Sequence, residues 1–321
     1  MTKAVPYPYD TTFVAKCREM QSKYREEILN LPLRPYVVQN SRSKDFGKTF
    51  HLGNYISEGE ESGANFLEKY IFEHAKERIR DRKPYETFDE DRMFNNLLSS
   101  QPMAFNLFCP LRKLLEENQE AATEAIRKAL PHYSIAMVTA VELEFIPYNY
   151  QNLTGDKSAM DAIIKYKNFE GKECFIAIET KYSENLGSNA ASFMKLSGEK
   201  YEEKKNVYFE KIHDLNLFLP DIESKLRSKD VKLTQLYRNF ILSETYGKKE
   251  GYISHSIVLA PAGHPSTDKE IEILQSQLLP QCKDKIRKVH LEDFVDSLIK
   301  ETVGEYKKVF GKFKKRYLEW K

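Results

Sequence analysis

Apolar residues recur at helical intervals over the first part of the chain. Their spacing predicts helices over residues 11–30 and 63–82, the second of which starts near Asn65. Residues 32–61, between them, are rich in Pro, Gly, Ser and Asn, which predicts an extended connection with turns. We therefore expect residues 1–94 to form a mainly helical N-terminal segment.

A new helical stretch is predicted to begin about 100 residues into the chain. Ser99 and Ser100 are good capping residues, and Pro102 fits the first turn of a helix, where its missing N–H is not needed. The helix should continue through Phe108. Apolar spacing predicts a further helix over residues 114–130.

After that helix the apolar period falls from 3.6 residues to two. Val141, Leu143 and Phe145 alternate with Glu142 and Glu144. Because successive side chains of a strand point to opposite faces, the apolar side chains share one face and both carboxylates share the other. The pattern predicts a half-buried strand.

Two further strands are predicted over residues 158–166 and 173–182, joined by the hairpin sequence at residues 168–172. Helical spacing returns over residues 185–243, and a long apolar run at residues 252–261 predicts another strand. The order helix, three-stranded meander, helix, strand indicates an α/β fold.

The chain divides by this pattern into three segments. Residues 1–94 precede an α/β core over residues 95–265, which carries a helical insertion near residues 185–232. Residues 266–321 are predicted to form a helical C-terminal segment that ends in a basic tail. The densest basic run, residues 307–317, interleaves aromatic residues with Lys and Arg. Two interpretations of it are open: the solvated face of an amphipathic helix, which is the simpler, and a phosphate-contacting surface.

Composition narrows the class of protein. Hydrophobic residues make up 41% and charged residues 31% of the 321 residues, as in ordinary globular proteins, and the net charge of +2 gives no strong overall attraction to nucleic acid. No signal-peptide stretch and no run of about 18 apolar residues occurs. We expect a cytoplasmic protein that does not enter a membrane.

Several kinds of site are not indicated. The cysteines, at positions 17, 109, 174 and 282, are far apart and form no CxxC pair, which argues against a zinc ribbon or a disulfide framework. The patterns GxxxxGK[ST], GxGxxG, GxSxG and HExxH do not occur, so nucleotide-driven motors, dinucleotide enzymes, serine hydrolases and zinc proteases are disfavoured. The histidines are dispersed along the chain.

One pattern within the predicted meander carries chemistry. Asp161 is followed by Glu179, Thr180 and Lys181, and a hairpin can bring Asp161 beside the other residues. Two close carboxylates repel each other, and a hard divalent cation such as Mg²⁺ compensates that repulsion. A metal held by Asp161, Glu179 and the Thr180 carbonyl could polarise a phosphate, while Lys181 orients water and stabilises negative charge.

The spacing alone is weakly specific, because Asp, Glu and Lys are abundant in the chain. Its context strengthens it. Phe175, Ile176 and Ile178 directly precede the acid-x-Lys sequence, which predicts a central, buried strand. Charged side chains at the end of such a strand are costly unless they have a role.

The chain resembles the PD-(D/E)xK, or restriction-endonuclease-like, nucleases, and within them a bacterial restriction-endonuclease-like group. The resemblance includes residues 63–67, residues 95–108 (NNLLSSQPMAFNLF), Asp161 with residues 179–181, and residues 235–238 (QLYR). The long string at 95–108 is its specific part. The proline of the family's Pro-Asp pair is absent, because Met160 precedes Asp161.

The resemblance implies a mixed central sheet flanked by helices, with Asp161 and Glu179 as metal ligands and Lys181 as the catalytic lysine. An accessory acid often lies ahead of the metal-binding Asp, and both Glu142 and Glu144 are candidates, with Glu144 preferred. Solvent exposure on an edge strand explains either one equally well.

Further members of the site are implied with less support. Gln235 and Arg238 are three apart on a predicted helix and share a face, so they can reach together towards a phosphate or the attacking water. A plain surface-helix pair is the alternative. Asp156 competes with Asp161, although its Gly-containing turn favours a capping role, and Lys157 and Lys165 are candidates for phosphate contact.

The expected activity is Mg²⁺-dependent hydrolysis of DNA, with Mn²⁺ as a substitute ion, in restriction-type defence. A homodimer would cut two strands by symmetry. The alternatives are a catalytically inactive DNA-binding member of the same fold, and a repair or RNA-directed nuclease.

Overall fold

The structure, a computed structural model, describes residues 4–39, 41, 43–86, 88–155, 157–187 and 190–319. Its strands are β1 (Tyr36–Val37), β2 (Thr49–Phe50), β3 (Ile135–Phe145), β4 (Met160–Asn168), β5 (Glu173–Thr180), β6 (Ile253–Ala260) and β7 (Ile286–His290). Its α-helices are α1 (Thr12–Lys23), α2 (Gly59–Ser62), α3 (Lys69–Arg80), α4 (Glu90–Asn95), α5 (Ser100–Glu117), α6 (Gln119–Ala129), α7 (Glu199–Leu215), α8 (Ile222–Ser228), α9 (Gln235–Glu250), α10 (Thr267–Gln275), α11 (Leu291–Glu301) and α12 (Gly304–Tyr317).

A mixed sheet of five strands forms the centre of the molecule, in the order β3-β4-β5-β6-β7. The first three strands are antiparallel, and β5, β6 and β7 run parallel to one another. Helices flank this sheet, as the sequence predicts. Strands β1 and β2 form a separate two-stranded sheet within the predicted connection at residues 32–61.

The predicted hairpin joins β4 to β5. The Asn168 side chain accepts hydrogen bonds from the backbone N–H groups of Glu170 and Lys172, at 3.0 and 2.9 Å. Gly171 has a φ of 77°, a conformation that glycine adopts without the strain a side chain would bring. The turn therefore fixes the register of the two strands that carry the acid-x-Lys pattern.

Alternate residues of the central strands pack into cores on opposite faces of the sheet. In β6, Ile257 and Leu259 join the core formed with α5, α6, α11 and α12, whereas Val258 and Ala260 join the core formed with α7 and α9. This two-sided burial explains why residues 252–261 are continuously apolar.

The helix that begins after Ser99 is longer than the sequence predicts. The Ser99 hydroxyl accepts the Gln101 N–H at 3.3 Å, and α5 continues to Glu117 with Pro110 inside it. The break before the next helix falls at Asn118, whose side chain caps α6 by accepting the Ala121 N–H at 3.0 Å. The predicted boundary at residue 114 is therefore four residues early.

The C-terminal segment contributes a strand that the sequence does not indicate. Strand β7 pairs in parallel with β6, although the segment 266–321 is predicted to be helical. Ile286 is buried, while Arg287, Lys288 and Val289 are half-buried and His290 is exposed. Buried and exposed residues do not alternate along this five-residue strand, so its sequence alone does not indicate a strand. It is recognised only by its pairing with β6.

The basic run at residues 307–317 lies in α12, and the aromatic residues within it pack inwards. Phe310, Phe313 and Tyr317 are fully buried, as is Arg316. The burial supports the amphipathic-helix interpretation, because these rings are not accessible to nucleic-acid bases.

The helices at both ends of the chain share one core with α5 and the sheet. Cys17, Ile71 and Phe94 from the first 94 residues pack in the same apolar cluster as Phe294 and Phe310. The division into segments at residues 94 and 265 stays a prediction. Within the described ranges, none of the helices has the length and apolar character needed to cross a membrane.

Candidate active site

Three acidic residues lie level with one another on adjacent strands. The register of β3 with β4 places Glu144 level with Asp161. The register of β4 with β5 pairs Ala162 with Ile178, so Asp161, one residue earlier, lies level with Glu179, one residue later. The sheet thus gathers acids that are up to 35 residues apart in the chain.

Asp161 is anchored by the residue that follows Glu179. Its Oδ2 atom accepts a hydrogen bond from the Thr180 backbone N–H at 2.6 Å and another from the Thr180 hydroxyl at 2.7 Å. Both bonds reach the same oxygen, which leaves Oδ1 as the oxygen that a cation could share. The contact fixes one carboxylate against the end of β5.

Glu179 is held from two sides. Its Oε1 atom accepts a hydrogen bond from Lys181 Nζ at 2.5 Å, and its Oε2 atom accepts one from Asn239 Nδ2 at 2.7 Å. Glu179 is 4% exposed and Lys181 is 7% exposed, so the ion pair lies away from bulk water. Asn239 belongs to α9, which therefore contributes to the site through a residue that the sequence analysis did not select.

Glu144 has a strained backbone. Its φ is 49°, in the left-handed region that side-chain-bearing residues seldom occupy. Arg78 Nη2 donates to the Glu144 carbonyl at 3.0 Å, and Gln101 Nε2 donates to the Glu144 carboxylate at 3.0 Å. The surrounding contacts hold this acid in place despite the cost of its conformation.

The acids shift one another's protonation. Burial, with a smaller contribution from Glu179, raises the pKa of Glu144 to about 7. Burial and the charge of Glu179 hold the pKa of Asp161 well above its usual range, against the opposing charge of Lys181. Concentrated negative charge of this kind favours the binding of a cation.

Lys181 keeps its proton in this setting. Burial alone would lower the pKa of its ammonium group, but the carboxylates of Glu179, Asp161 and Glu184 raise that pKa above its ordinary value. The lysine is therefore a permanent positive charge and hydrogen-bond donor within the site.

The N-terminus of α5 is tied to the site by a fourth acid. Glu184 Oε1 accepts from the Ser100 backbone N–H at 2.8 Å and from the Ser100 hydroxyl at 3.0 Å. Arg92 adds a contact at 3.0 Å. A carboxylate at a helix N-terminus is stabilised by the unpaired N–H groups and by the helix dipole. Because Gln101 follows Ser100, this contact also positions the amide that reaches Glu144.

Gln235 and Arg238 lie in the first turn of α9, beside Asn239. Gln235 is four residues before Asn239, so these two side chains share a helix face. Arg238 lines a cavity whose described lining residues also include Lys157 and Lys204. On this helix it is Asn239 that makes the contact to Glu179.

The remaining candidates of the sequence analysis are placed differently. Glu142 pairs with Lys165 at 2.8 Å, so each of these two side chains has a structural partner. Lys157 is exposed and lines the same cavity as Arg238. Asp156 lies outside the described residues.

The donor set fits a hard divalent cation. Within the described ranges, no three His, Cys, Asp or Glu side chains are grouped so that they could hold one metal ion together. Mg²⁺, however, usually retains several water ligands and takes only one or two protein carboxylates. Asp161 and Glu179 supply two carboxylates. Burial, together with the nearby charge of Glu179, raises the pKa of Asp161, and a cation would stabilise the ionised form of both acids.

Two amide residues, Gln101 and Asn239, were missed by the sequence analysis. Their only available signal was position, because each lies within a motif that carries the family resemblance or directly beside it. Neutral amides are common on helices, and which of them turns towards an acid depends on tertiary packing.

Neither the curated proteins nor the solved structures contain a match to this chain. A family model described as the PD-(D/E)XK nuclease superfamily matches residues 8–319, nearly the whole chain. The match agrees with the mixed sheet and the resemblance noted from the sequence, and the chain belongs to the PD-(D/E)XK nuclease superfamily.

Proposed function

We propose that this chain hydrolyses phosphodiester bonds of DNA with the help of a divalent metal ion. The observation that carries the proposal is the alignment of Glu144, Asp161 and Glu179 across three strands, with Lys181 Nζ 2.5 Å from Glu179. Membership of a nuclease superfamily supports the reaction class.

In this proposal Asp161 and Glu179 hold the cation together with the carbonyl of Thr180. Mg²⁺ is the natural ion and Mn²⁺ a substitute, because the donors are oxygens. A bound cation supplies polarisation of the scissile phosphate and lowers the pKa of a water ligand. Asn239 and Thr180 keep the two carboxylates in position for binding.

Lys181 stabilises the negative charge that builds up on the phosphate during attack. Its raised pKa keeps it protonated, so its role is to donate hydrogen bonds and to orient water, rather than to accept a proton. Its Nζ lies 2.5 Å from Glu179 Oε1, so it would lie beside a phosphate bound at these carboxylates. Glu144 is proposed as the accessory acid, held ready by Gln101.

Gln235 and Arg238 are proposed to contact the phosphate or the attacking water from the first turn of α9. A guanidinium is well suited to phosphate because it offers several N–H donors in one plane. Their position on the same helix as Asn239, which contacts Glu179, supports this role.

Restriction-type defence is the biological role we propose, with a homodimer cutting both strands. The second candidate is a DNA-binding member that no longer cuts. The intact set of Asp161, Glu179 and Lys181, drawn together by the sheet, favours an active enzyme over this alternative.

The proposal is tested by incubating the purified protein with duplex DNA, single-stranded DNA and RNA. Each substrate is offered with Mg²⁺, Mn²⁺ or Ca²⁺, or with a chelator. We expect DNA cleavage with Mg²⁺ or Mn²⁺ and none with the chelator. Binding of DNA without cleavage under every metal would support the inactive alternative, and cleavage of RNA alone would redirect the activity.

A further inference from the structure

The segments that follow β5 and β6 lie side by side at the carboxyl ends of two parallel strands. Strand β5 ends at Thr180 and β6 ends at Ala260, and the two strands pair in parallel. Lys181 donates its backbone N–H to the Leu259 carbonyl at 3.0 Å, so the pairing continues past the end of β5. The carboxyl ends of parallel strands are where open α/β sheets bind their ligands.

His264 contributes a buried imidazole to the segment after β6. It is 3% exposed, and its Nε2 atom lies 3.0 Å from the Glu184 carbonyl oxygen. Because a carbonyl oxygen only accepts, Nε2 must carry the hydrogen of this bond. Nδ1 then accepts a hydrogen bond, and the Ser266 backbone N–H donates to it at 3.4 Å. The two contacts therefore define one neutral tautomer of the ring.

The surroundings keep this imidazole neutral. Burial lowers the pKa of His264 below its ordinary value, and the charges of Lys288 and Lys181 act in the same direction, against the opposing contact with Glu184. At neutral pH the ring therefore offers one N–H donor and one acceptor, as its two hydrogen bonds require.

A third hydrogen bond joins the two segments. The Leu186 backbone N–H donates to the Ser266 hydroxyl at 3.0 Å. We refer to residues 259–266 as the β6 clamp. Its three contacts are distributed along residues 181–186, the segment that begins with the proposed catalytic lysine.

Glu184 connects the β6 clamp to the chemistry of the site. Its carboxylate accepts the Ser100 backbone N–H at 2.8 Å at the start of α5. Its negative charge, with those of Glu179 and Asp161, keeps Lys181 protonated. A shift of the Glu184 backbone would therefore disturb both the lysine and the helix that carries Gln101.

We propose that His264 is a positioning residue of the nuclease site. It fixes the Glu184 backbone, and through Glu184 it holds Lys181 and the start of α5 in place for the reaction. This inference rests on the proposed cleavage of DNA and adds a residue that touches neither metal nor substrate. The imidazole acts through the hydrogen bond that it donates.

The test compares the wild type with His264→Leu, His264→Gln and Ser266→Ala. Leucine removes the N–H donor, whereas glutamine supplies an amide N–H donor at the end of a flexible side chain. Cleavage rates over a range of DNA concentrations give kcat and KM. Hydrogen exchange of residues 181–186 is followed in chelator by mass spectrometry, and thermal melting shows that each variant is folded.

His255→Leu is the matched control. His255 also belongs to β6, but it is level with Ile176, three residues before Glu179 in the neighbouring strand. Its ring packs against Tyr133, with the ring centroids 4.9 Å apart. The substitution therefore removes a half-buried histidine of the same strand without touching the β6 clamp.

We expect His264→Leu to lower kcat about tenfold or more and to change KM for DNA less than about twofold, because positioning is lost and DNA binding is not. His264→Gln should keep kcat within about threefold of the wild type. In chelator, His264→Leu and Ser266→Ala should each speed the exchange of residues 181–186 about fivefold or more. His255→Leu should leave kcat and this exchange unchanged.

The inference is overturned if kcat falls no further in His264→Leu than in His255→Leu, or if His264→Gln is as slow as His264→Leu. Unchanged exchange of residues 181–186 in Ser266→Ala also overturns it, and this measurement decides the matter if His264→Leu does not fold. A wild type that cuts no DNA would contradict the proposed function, and the exchange of residues 181–186 would then decide the inference by itself.

Discussion

Two neutral amides hold the acids of the site. Gln101 donates to Glu144 at 3.0 Å, and Asn239 donates to Glu179 at 2.7 Å. Partners of this kind orient metal-binding groups and are often nearly as important as the ligands themselves. The proposed chemistry therefore depends on residues that carry no charge.

Asn239→Ala should slow DNA cleavage by about 10- to 100-fold and raise the Mg²⁺ concentration needed for half-maximal rate, because Glu179 loses a fixed partner. The measurement is the initial cleavage rate over a series of Mg²⁺ concentrations. Lys249→Ala, an exposed change on the last turn of the same helix, should leave both values unaltered. Equal metal dependence in Asn239→Ala and the wild type would exclude this positioning role.

Glu144 gives a prediction about pH. Its pKa is raised to about 7 in the folded protein, whereas an unfolded glutamate titrates near 4.3. Between these values the folded state holds more protons than the unfolded state, so the metal-free protein loses stability as pH rises through this window. Below it the carboxyl group is protonated in both states and the penalty is absent.

Glu144→Gln removes this penalty because glutamine is uncharged at every pH. We expect the stability of the variant relative to that of the wild type to increase by about 1 to 3 kcal/mol as the pH rises from 5 to 8. Chemical denaturation in the absence of divalent metal, at both pH values, measures it. A stability difference that is the same at pH 5 and pH 8 would show that the Glu144 charge is not the cause.

The charged members of the site could be selected from sequence, and the amides could not. Asp161, Glu179 and Lys181 follow a spacing that a hairpin brings together. The alternation in β3 offered Glu142 and Glu144 alike, and the family resemblance implied an accessory acid among them. Asn239 had no such signal, since an amide on a helix is ordinary until tertiary structure places it against an acid.

The N-terminus of α5 joins the helical layer to the chemistry of the sheet. Ser99 caps the helix, Glu184 accepts from Ser100, and Gln101 reaches Glu144. Residues 95–108, which resemble the family most specifically, therefore include the start of the helix that contacts the proposed accessory acid Glu144.

Glu184→Ala should cost about 1 to 2 kcal/mol of stability and also slow cleavage, because the start of α5 is no longer fixed beside Glu144. Asn118→Ala is a suitable control, since it removes the cap of α6 at similar cost away from the acids. Denaturant unfolding and cleavage rates are compared for both. If the two variants lose cleavage activity equally, the effect is one of stability alone.

Secondary structure was predictable where the local pattern was strong. The hairpin at residues 168–172 and strand β6 follow directly from turn residues and a continuous apolar run. Strand β7 was not predicted, because a short strand rich in charged residues is recognised only by its partner β6. The boundary predicted at residue 114 was four residues early, because α5 continues through Pro110 to Glu117.

A buried polar network connects the two ends of the chain to the site. Arg316 is fully buried and donates to the Asn65 carbonyl at 2.8 Å and also to the Asn65 side chain. Gln21 donates to the Arg316 carbonyl at 2.9 Å and to the Tyr182 hydroxyl at 3.0 Å. Tyr182 follows Lys181 directly, so helices α1 and α12 brace the segment that carries the lysine.

Arg316→Ala should lower the free energy of unfolding by about 2 to 5 kcal/mol, since it leaves the buried side-chain oxygen of Asn65 without its donor and empties a fully buried position. The exposed neighbour change Lys315→Ala should alter it by no more than about 0.5 kcal/mol. Guanidinium unfolding followed by circular dichroism measures both. Equal stability of the two variants would mean that the network contributes nothing.

The sequence predicted separate helical segments at each end of the chain, but it did not predict which elements they pack against. Apolar periodicity indicates that one face of a helix is buried, and it does not identify the partner of that face. The polar contacts of Arg316 and Gln21 join residues almost 300 positions apart, and no local signal indicates them.

The proposed reaction is tested by cleavage of supercoiled plasmid DNA with Mg²⁺ by the wild type, Asp161→Asn and Lys181→Met, all shown to be folded. We expect the wild type to cut in Mg²⁺ and not in chelator, and both variants to lose at least about 100-fold of the rate. Folded variants that cut at the wild-type rate would contradict the assignment of Asp161 and Lys181 to the chemistry.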